Sequence, residues 1–282
     1  MAVQPGAPSN ARQPPSRAPL PGSDRTTFVR AVASPLVGAS PAPLLSVVVP
    51  VRNEAPNIPP LIAEIGAALG GIAHEIVYVD DGSSDATPHV LAEAAAAGAI
   101  RWRRHRRSCG QSAALITGIR AARGTWIATL DGDGQNDPAD IPYLLEHGFA
   151  TGHGAVLIAG QRRIRRDSWI KRMSSRMANG VRARLLGDGT ADTGCGLKLL
   201  RRETFLALPQ FDHMHRFLPA LVVRLGGRVE AVPVNHRERQ HGSSNYGTLD
   251  RLWAGIFDLA GVYWLQRRWR RPEIEVPEQP EP

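Results

Sequence analysis

The chain has 282 residues, 43% of them hydrophobic, which is enough for a globular core of one large domain or two small ones. Its formal net charge of +8 points to an anionic partner, and its two cysteines, Cys109 and Cys195, exclude a disulfide framework and fit reduced thiols. No continuous apolar stretch suits a secretory signal or a membrane span.

Residues 1–43 are rich in Pro, Ala, Ser and Arg, and are expected to be a disordered leader that cannot bury enough apolar surface to order itself. LLSVVVPV (44–51) reads as a strand buried on both faces. A helix is expected from Asn57 to Leu69, and then EIVYVDD (75–81) as a second buried strand. The next helix should run from Asp85 to Ala97, with Ser84 or Asp85 as cap and Pro88 in its first turn. A strand near 99–104, a helix over 111–122, the strand TWIATLD (125–131), a helix over 138–147 and the strand AVLIAG (155–160) follow. Such alternation predicts a mostly parallel, doubly wound α/β sheet with helices on both faces. LKLLRRE after residue 196 is a candidate returning strand, followed by a helix near 214–225 and the strand RVEAVPV (228–234).

Ligands of such sheets sit outside the carboxyl ends of the strands. Three acidic clusters fall there: Asn53 with Glu54, Asp80 with Asp81, and Asp131 with Asp133. Taken alone, the D-x-D also suits a turn that caps the next helix. A calcium loop of EF-hand type fails, because its sixth and twelfth positions would be Asn136 and Pro142. A hard divalent ion, Mg²⁺ or Mn²⁺, bridging a diphosphate fits better: Asp131, Asp133 and the Gln135 amide supply oxygen ligands, and Gly132 leaves room for a nucleotide.

Together SVVVPVRNE (46–54), VDDGSSDAT (79–87) and LDGDGQNDP (130–138) resemble the family 2 glycosyltransferases of GT-A fold. More narrowly they resemble dolichol-phosphate mannosyltransferase and its bacterial polyprenyl-phosphate relatives. The resemblance covers about residues 45–246 and implies roles. Pro50, Arg52 and Glu54 would line a nucleotide-sugar pocket, Asp81 would bond the base and Val79 would pack on it. Asp131, Gly132, Asp133 and Gln135 would hold metal and sugar diphosphate. Arg162 and Arg239 would approach the diphosphate. Asn245 stands where the family pattern has lysine, with Arg237 as a possible substitute charge. Asp192 is the candidate for a base or for orienting the acceptor, and is equally well read as a solvated loop aspartate.

A lipid phosphate acceptor is already ionised near neutral pH and needs no general base, which agrees with the lack of an obvious His or Glu base after the D-x-D strand. The arginines of 101–107 suit a solvated face. Residues 162–184 carry Ile170, Met173, Met177, Val181 and Leu185 at helical spacing, with Lys171, Arg172, Arg176, Arg182 and Arg184 on other faces. That pattern suits an anionic membrane surface, or equally a surface helix packed on the core. The apolar 252–266 segment, within a membrane-associating stretch 247–271, is too short to span and is expected to lie in the interface or against a partner helix. Residues 272–282 are expected to be a disordered acidic tail.

The expected activity is transfer of a sugar from a GDP- or UDP-sugar to a dolichyl or undecaprenyl phosphate, with inversion, by a peripheral enzyme at the cytoplasmic membrane face. The alternative acceptor is a saccharide hydroxyl. No nucleic-acid partner is expected, because the basic runs lack aromatic interleaving. A membrane-docked scaffold with a dead site is disfavoured by the intact Asp131, Asp133 and Gln135.

Overall fold

The computed structural model describes residues 42–152, 154–162, 180, 182–190, 192–239 and 248–268. The leader, the acidic tail, Asn245 and most of the 162–184 segment lie outside them.

The elements in chain order are β1 (Leu45–Val51), α1 (Ile58–Ala68), β2 (His74–Asp80), α2 (Thr87–Ala96), β3 (Arg101–Arg104), α3 (Gln111–Ala121), β4 (Trp126–Thr129) and α4 (Ile141–Ala150). Then come β5 (Val156–Arg162), β6 (Lys198–Arg201), α5 (Arg202–Leu206), α6 (Leu218–Arg224), β7 (Arg228–Val234) and α7 (Thr248–Arg268). The strands form one sheet in the order β3-β2-β1-β4-β6-β5-β7. Its pairs are parallel except where β6 runs antiparallel to both β4 and β5.

Strand alternation separates two cores. Val47 and Val49 face one side, with Ile58, Ile65, Leu91 and Leu144 from α1, α2 and α4. Val48 and Val77 face the other, with Leu115, Ile119, Phe205 and Leu221 from α3, α5 and α6. Continuous β-branched runs arise because both sheet faces are covered. α3 lies very close to the sheet: a Cβ on Gly118 would come within 2.5 Å of Val48 Cγ1 and 3.0 Å of Val79 Cγ2.

At the α2 terminus Asp85 Oδ1 accepts from Thr87 N at 2.9 Å, and Pro lies in the first turn. Both cysteines are free. α7 docks on the second core through Val262, with Leu259 and Tyr263 partly buried, while Phe257 and Trp264 are 73% and 57% exposed. Gln266 Nε2 ties α7 to the carbonyls of Leu186 and Ala220, at 2.9 and 3.3 Å. Among the described residues no helix is long and apolar enough to cross a membrane.

Two residues of the expected basic amphipathic helix take the opposite orientation. Arg182 is buried, 2.7 Å from Asp188, and Leu185 is exposed. A guanidinium is stable inside when a carboxylate and a carbonyl satisfy it, and Arg182 has both, in Asp188 and the oxygen of Thr190.

Candidate active site

The sheet order reverses direction between β1 and β4, so the carboxyl edge opens there into a crevice. The loop after β1 is folded onto the loop after β2. Asn53, at φ 57°, donates its N–H to Ser83 Oγ and accepts from Ser84 N through its side chain, both at 2.9 Å. Glu54 N–H donates to Thr87 Oγ1 at 2.9 Å. Much of the VDDGSSDAT stretch therefore holds the β1 loop in place. Glu54 is pushed above its ordinary pKa by burial, and bonds from Asn57 and the charge of Arg239 oppose that shift. Arg52 is exposed at the rim.

Asp81 is buried and spends both oxygens on the 105–110 loop. Oδ1 meets His105 Nδ1 at 2.7 Å and accepts from Cys109 N at 2.8 Å; Oδ2 accepts from Ser108 Oγ at 2.8 Å and Gly110 N at 2.9 Å. Burial pushes its pKa up, but these bonds outweigh burial and leave it lowered. The ligand atoms of Asp81, His105 and Cys109 lie within 4.8 Å of one another, a set that suits a softer ion than Mg²⁺ or Mn²⁺. Val79, expected to pack on a base, is wholly buried in this structure and packs against α3 at Gly118.

The D-x-D loop lies across the crevice. Asp131 Oδ1 accepts from Gln111 Nε2 at 2.9 Å, and its backbone N–H donates to Asn136 Oδ1 at 3.3 Å. Burial, then the neighbouring Asp133, push Asp131 up to about 6, against the pull of Lys198. Asp133 Oδ1 accepts from Gln135 N at 3.1 Å, and its Oδ2 accepts from Arg239 at 2.9 Å. Arg239 also reaches Glu54 at 3.4 Å, so the β1 loop, the D-x-D loop and the segment after β7 meet at one guanidinium. Gly132 packs closely on β1, where a Cβ would lie 2.3 Å from Val51 Cγ1. Glycine is also required at 196, where a Cβ would fall 2.1 Å from Asp131 Oδ2.

The test for a metal is the donor set. The charge of Asp133 raises the cost of ionising Asp131, and Gln135, whose backbone N–H donates to Asp133, carries a further amide oxygen. An all-oxygen set of this kind fits a hard divalent cation.

Arg162, at the end of β5, holds Asp192 in a two-pronged pair at 2.8 Å on each oxygen. Asp192 is therefore a fixed anchor of its loop, which runs beside Asp131. Arg237 is committed to Glu64 and Asp137, at 2.7 Å each, and those bonds raise its pKa further despite partial burial.

Sequence reasoning missed Gln111, Lys198 and His215. Lys198 starts β6, opposite Thr129 of β4 and Ala159 of β5. An antiparallel strand brings its first residue, not its last, to the edge where the parallel strands end. Lys198 Nζ is buried and donates to the carbonyls of Cys195 and, at 3.4 Å, Thr193. Burial lowers its pKa, and Asp131 and Asp192 are among the charges that hold it up. A lysine in an apolar strand was the available signal. A cavity of about 160 Å³ opens here, walled by Pro50, Gln111, Asp131, Gly196, Lys198 and His215 among others.

Residues 46–208 match the model of "Glycosyl transferase family 2". The chain is 37% identical over 238 residues to the dodecaprenyl-phosphate galacturonate synthase of Rhizobium johnstonii, covering 81% of this chain and 69% of that protein. It is 37% identical to the undecaprenyl-phosphate 4-deoxy-4-formamido-L-arabinose transferase of Edwardsiella ictaluri, over 76% of this chain and 66% of that protein. The protein of the same name from Aeromonas hydrophila is 34% identical, over 73% of this chain and 64% of that one. The chain thus spans about two thirds of the length of these relatives. Among solved structures, glucosyl-3-phosphoglycerate synthase from Mycobacterium tuberculosis, in complex with Mn²⁺, UDP and phosphoglyceric acid, superposes with TM-score 0.63 at 20% identity. That match covers 89% of this chain and 85% of the other, and shows the shared GT-A fold. Mannosyl-3-phosphoglycerate synthase from Rubrobacter xylanophilus gives 0.61 at 18%, over 84% and 79%. With the family model covering more than half its length and relatives above 30% identity, the chain belongs to glycosyl transferase family 2.

Proposed function

We propose that the protein transfers a sugar from a UDP- or GDP-sugar to a polyprenyl phosphate, with Mg²⁺ or Mn²⁺ held by Asp131, Asp133 and Gln135. The observation that carries this reading is the meeting of Glu54, Asp133 and Arg239 over a crevice that Asp131 closes from behind. Carboxylates for a cation and a guanidinium for phosphate lie side by side there, at the switch point of the sheet. The names of the polyprenyl-phosphate relatives support the acceptor.

When bound, the ion supplies positive charge to the departing diphosphate. Arg239 adds charge from the segment after β7, and Gln111 orients Asp131. A phosphate oxygen of the acceptor attacks the anomeric carbon. The bond from that carbon to the diphosphate breaks, its electron pair leaves with the nucleoside diphosphate, and the centre inverts. No proton has to be removed from an ionised phosphate. Among the described residues, Asp131 is the carboxylate lining the cavity, and Asp192 beside it is held by Arg162. Both favour a phosphate acceptor over a saccharide hydroxyl, which needs a base.

The same reading places the protein peripherally at the cytoplasmic face of an anionic membrane. α7 supports it, with exposed Phe257 and Trp264 followed by Arg267 and Arg268.

The test is radiolabelled sugar transfer to undecaprenyl phosphate in detergent, with a panel of UDP- and GDP-sugars and either metal, beside an Asp133→Ala variant. A labelled lipid abolished by EDTA and by the variant is the expected result. Metal-dependent nucleotide binding without lipid product from any donor would shift the acceptor to a saccharide.

A further inference from the structure

The cavity behind Asp131 has an unbalanced wall. Gln111, Lys198, His215 and Arg216 bring N–H groups to it, two of them cationic, and the N-terminus of α3 opens beside them. Asp131 is the carboxylate of the lining, and its Oδ1 is already taken by Gln111. The hydroxyl of Thr129, also in the wall, donates to the Gly196 carbonyl at 2.6 Å.

His215 is held in place by Ser112. Ser112 Oγ accepts the backbone N–H of His215 at 3.2 Å and lies 2.8 Å from His215 Nδ1. When the Ser112 hydroxyl donates to Nδ1, that nitrogen is the acceptor and the ring proton resides on Nε2. Burial, helped by the charges of Lys198 and Arg216, pushes the imidazole down to about 3, so it stays neutral and carries a single ring proton. Ser112 is buried inside α3, where its hydroxyl serves this ring.

Walls that offer donors and positive charge match a ligand group made only of acceptors. We propose that the Ser112 hydroxyl donates to His215 Nδ1, and that this cavity seats an anionic oxygen group of a substrate, recognised by the His215 Nε2–H and by Arg216. The inference rests on the glycosyl-transfer reading, which supplies two sources for such a group: the phosphate of the acceptor, and a carboxylate on the transferred sugar, as in a uronic acid. Asp133 and Arg239 are not in the cavity wall, so the pocket adjoins the nucleotide site and shares Asp131 with it while His215 and Arg216 stand apart from Arg239.

The experiment uses the full chain in detergent, as wild type and as Arg216→Gln and His215→Phe. UDP and GDP binding in Mn²⁺ is measured first and is expected to stay within about twofold of wild type. Loss of a charged hydrogen bond corresponds to about tenfold or more in the affected step. If the group is the acceptor phosphate, the KM for undecaprenyl phosphate rises by that factor with every donor. If it is a sugar carboxylate, the preference for a UDP-uronic acid over the matching UDP-hexose falls by that factor while the lipid KM stays put. Variants that bind nucleotide normally and change neither quantity overturn the proposal. A wild-type chain that transfers no sugar sinks the reaction reading instead. Thermal protection by inorganic phosphate or by glucuronate then decides the pocket: protection of wild type but not of Arg216→Gln supports it, and no protection of wild type overturns it.

Discussion

Asp133 and Asp131 differ in surroundings and should differ in what their loss does. Asp133 touches Arg239 and the Gln135 backbone, whereas Asp131 is sunk behind it against Gln111. Removing one group that stabilises transition-state charge costs about 10²–10³ in rate, so Asp133→Ala should lower transfer by at least that much with little change in melting temperature. Asp131 has a further effect on stability. Its folded pKa of about 6 lies above the unfolded value, so the native state holds the extra proton between roughly pH 4 and 6. Stability of the metal-free protein should therefore fall as pH rises through that window and level off above it. Asp131→Asn should remove the slope and raise metal-free stability by about 1–2 kcal/mol at pH 7, measured by urea melts at several pH values. Saturating Mn²⁺ should stabilise the wild type and leave Asp131→Asn nearly unmoved, as thermal shifts would show. Both aspartates were legible from the D-x-D at a strand end. Their unequal surroundings were not, because Gln111 and Gly196 reach Asp131 from elsewhere in the chain.

At the scale of elements, the parallel strands were readable because burial on both faces forces unbroken apolar runs. β6 was read only as a possible return to the sheet. Its four residues, with one lysine, carry too little pattern to give a direction. Arg182 is the clearest misplacement. Helical spacing set it among charges facing out, but the chain turns back at Asp188 and meets it inside. A buried pair broken on one side leaves an uncompensated charge, so Arg182→Ala should destabilise the protein by about 3–5 kcal/mol in chemical denaturation. A surface arginine would cost about 0.5 kcal/mol or less. Gly118→Val should also destabilise, by about 1–3 kcal/mol, because the new side chain meets Val48 and Val79 at the α3–sheet contact.

At the scale of the molecule, α7 joins the globule to the proposed lipid surface. Val262 anchors one face in the second core, worth about 1.5–3 kcal/mol for a fully buried aliphatic, while Phe257 and Trp264 stay outside. Phe257→Glu with Trp264→Glu should weaken sedimentation with anionic vesicles about tenfold or more while leaving urea stability nearly unchanged. Raising salt should weaken vesicle binding in the wild type, because Arg267 and Arg268 act through a screened field. Equal binding by the double variant would place the contact elsewhere on the chain.

The sequence by itself determined the alternating α/β architecture, the family and the strand-end acids, because strand period, β-branched runs and short motifs are local properties of the chain. Tertiary structure decided which groups share a space. It assigned Gly132 to Val51 and Val79 to the core, paired Arg162 with Asp192, and brought Lys198 and His215 to the cavity beside Asp131. The reason is physical: an antiparallel strand and a loop from the far end of the chain reach the crevice through sheet pairing and packing, and those are contacts between residues remote in sequence.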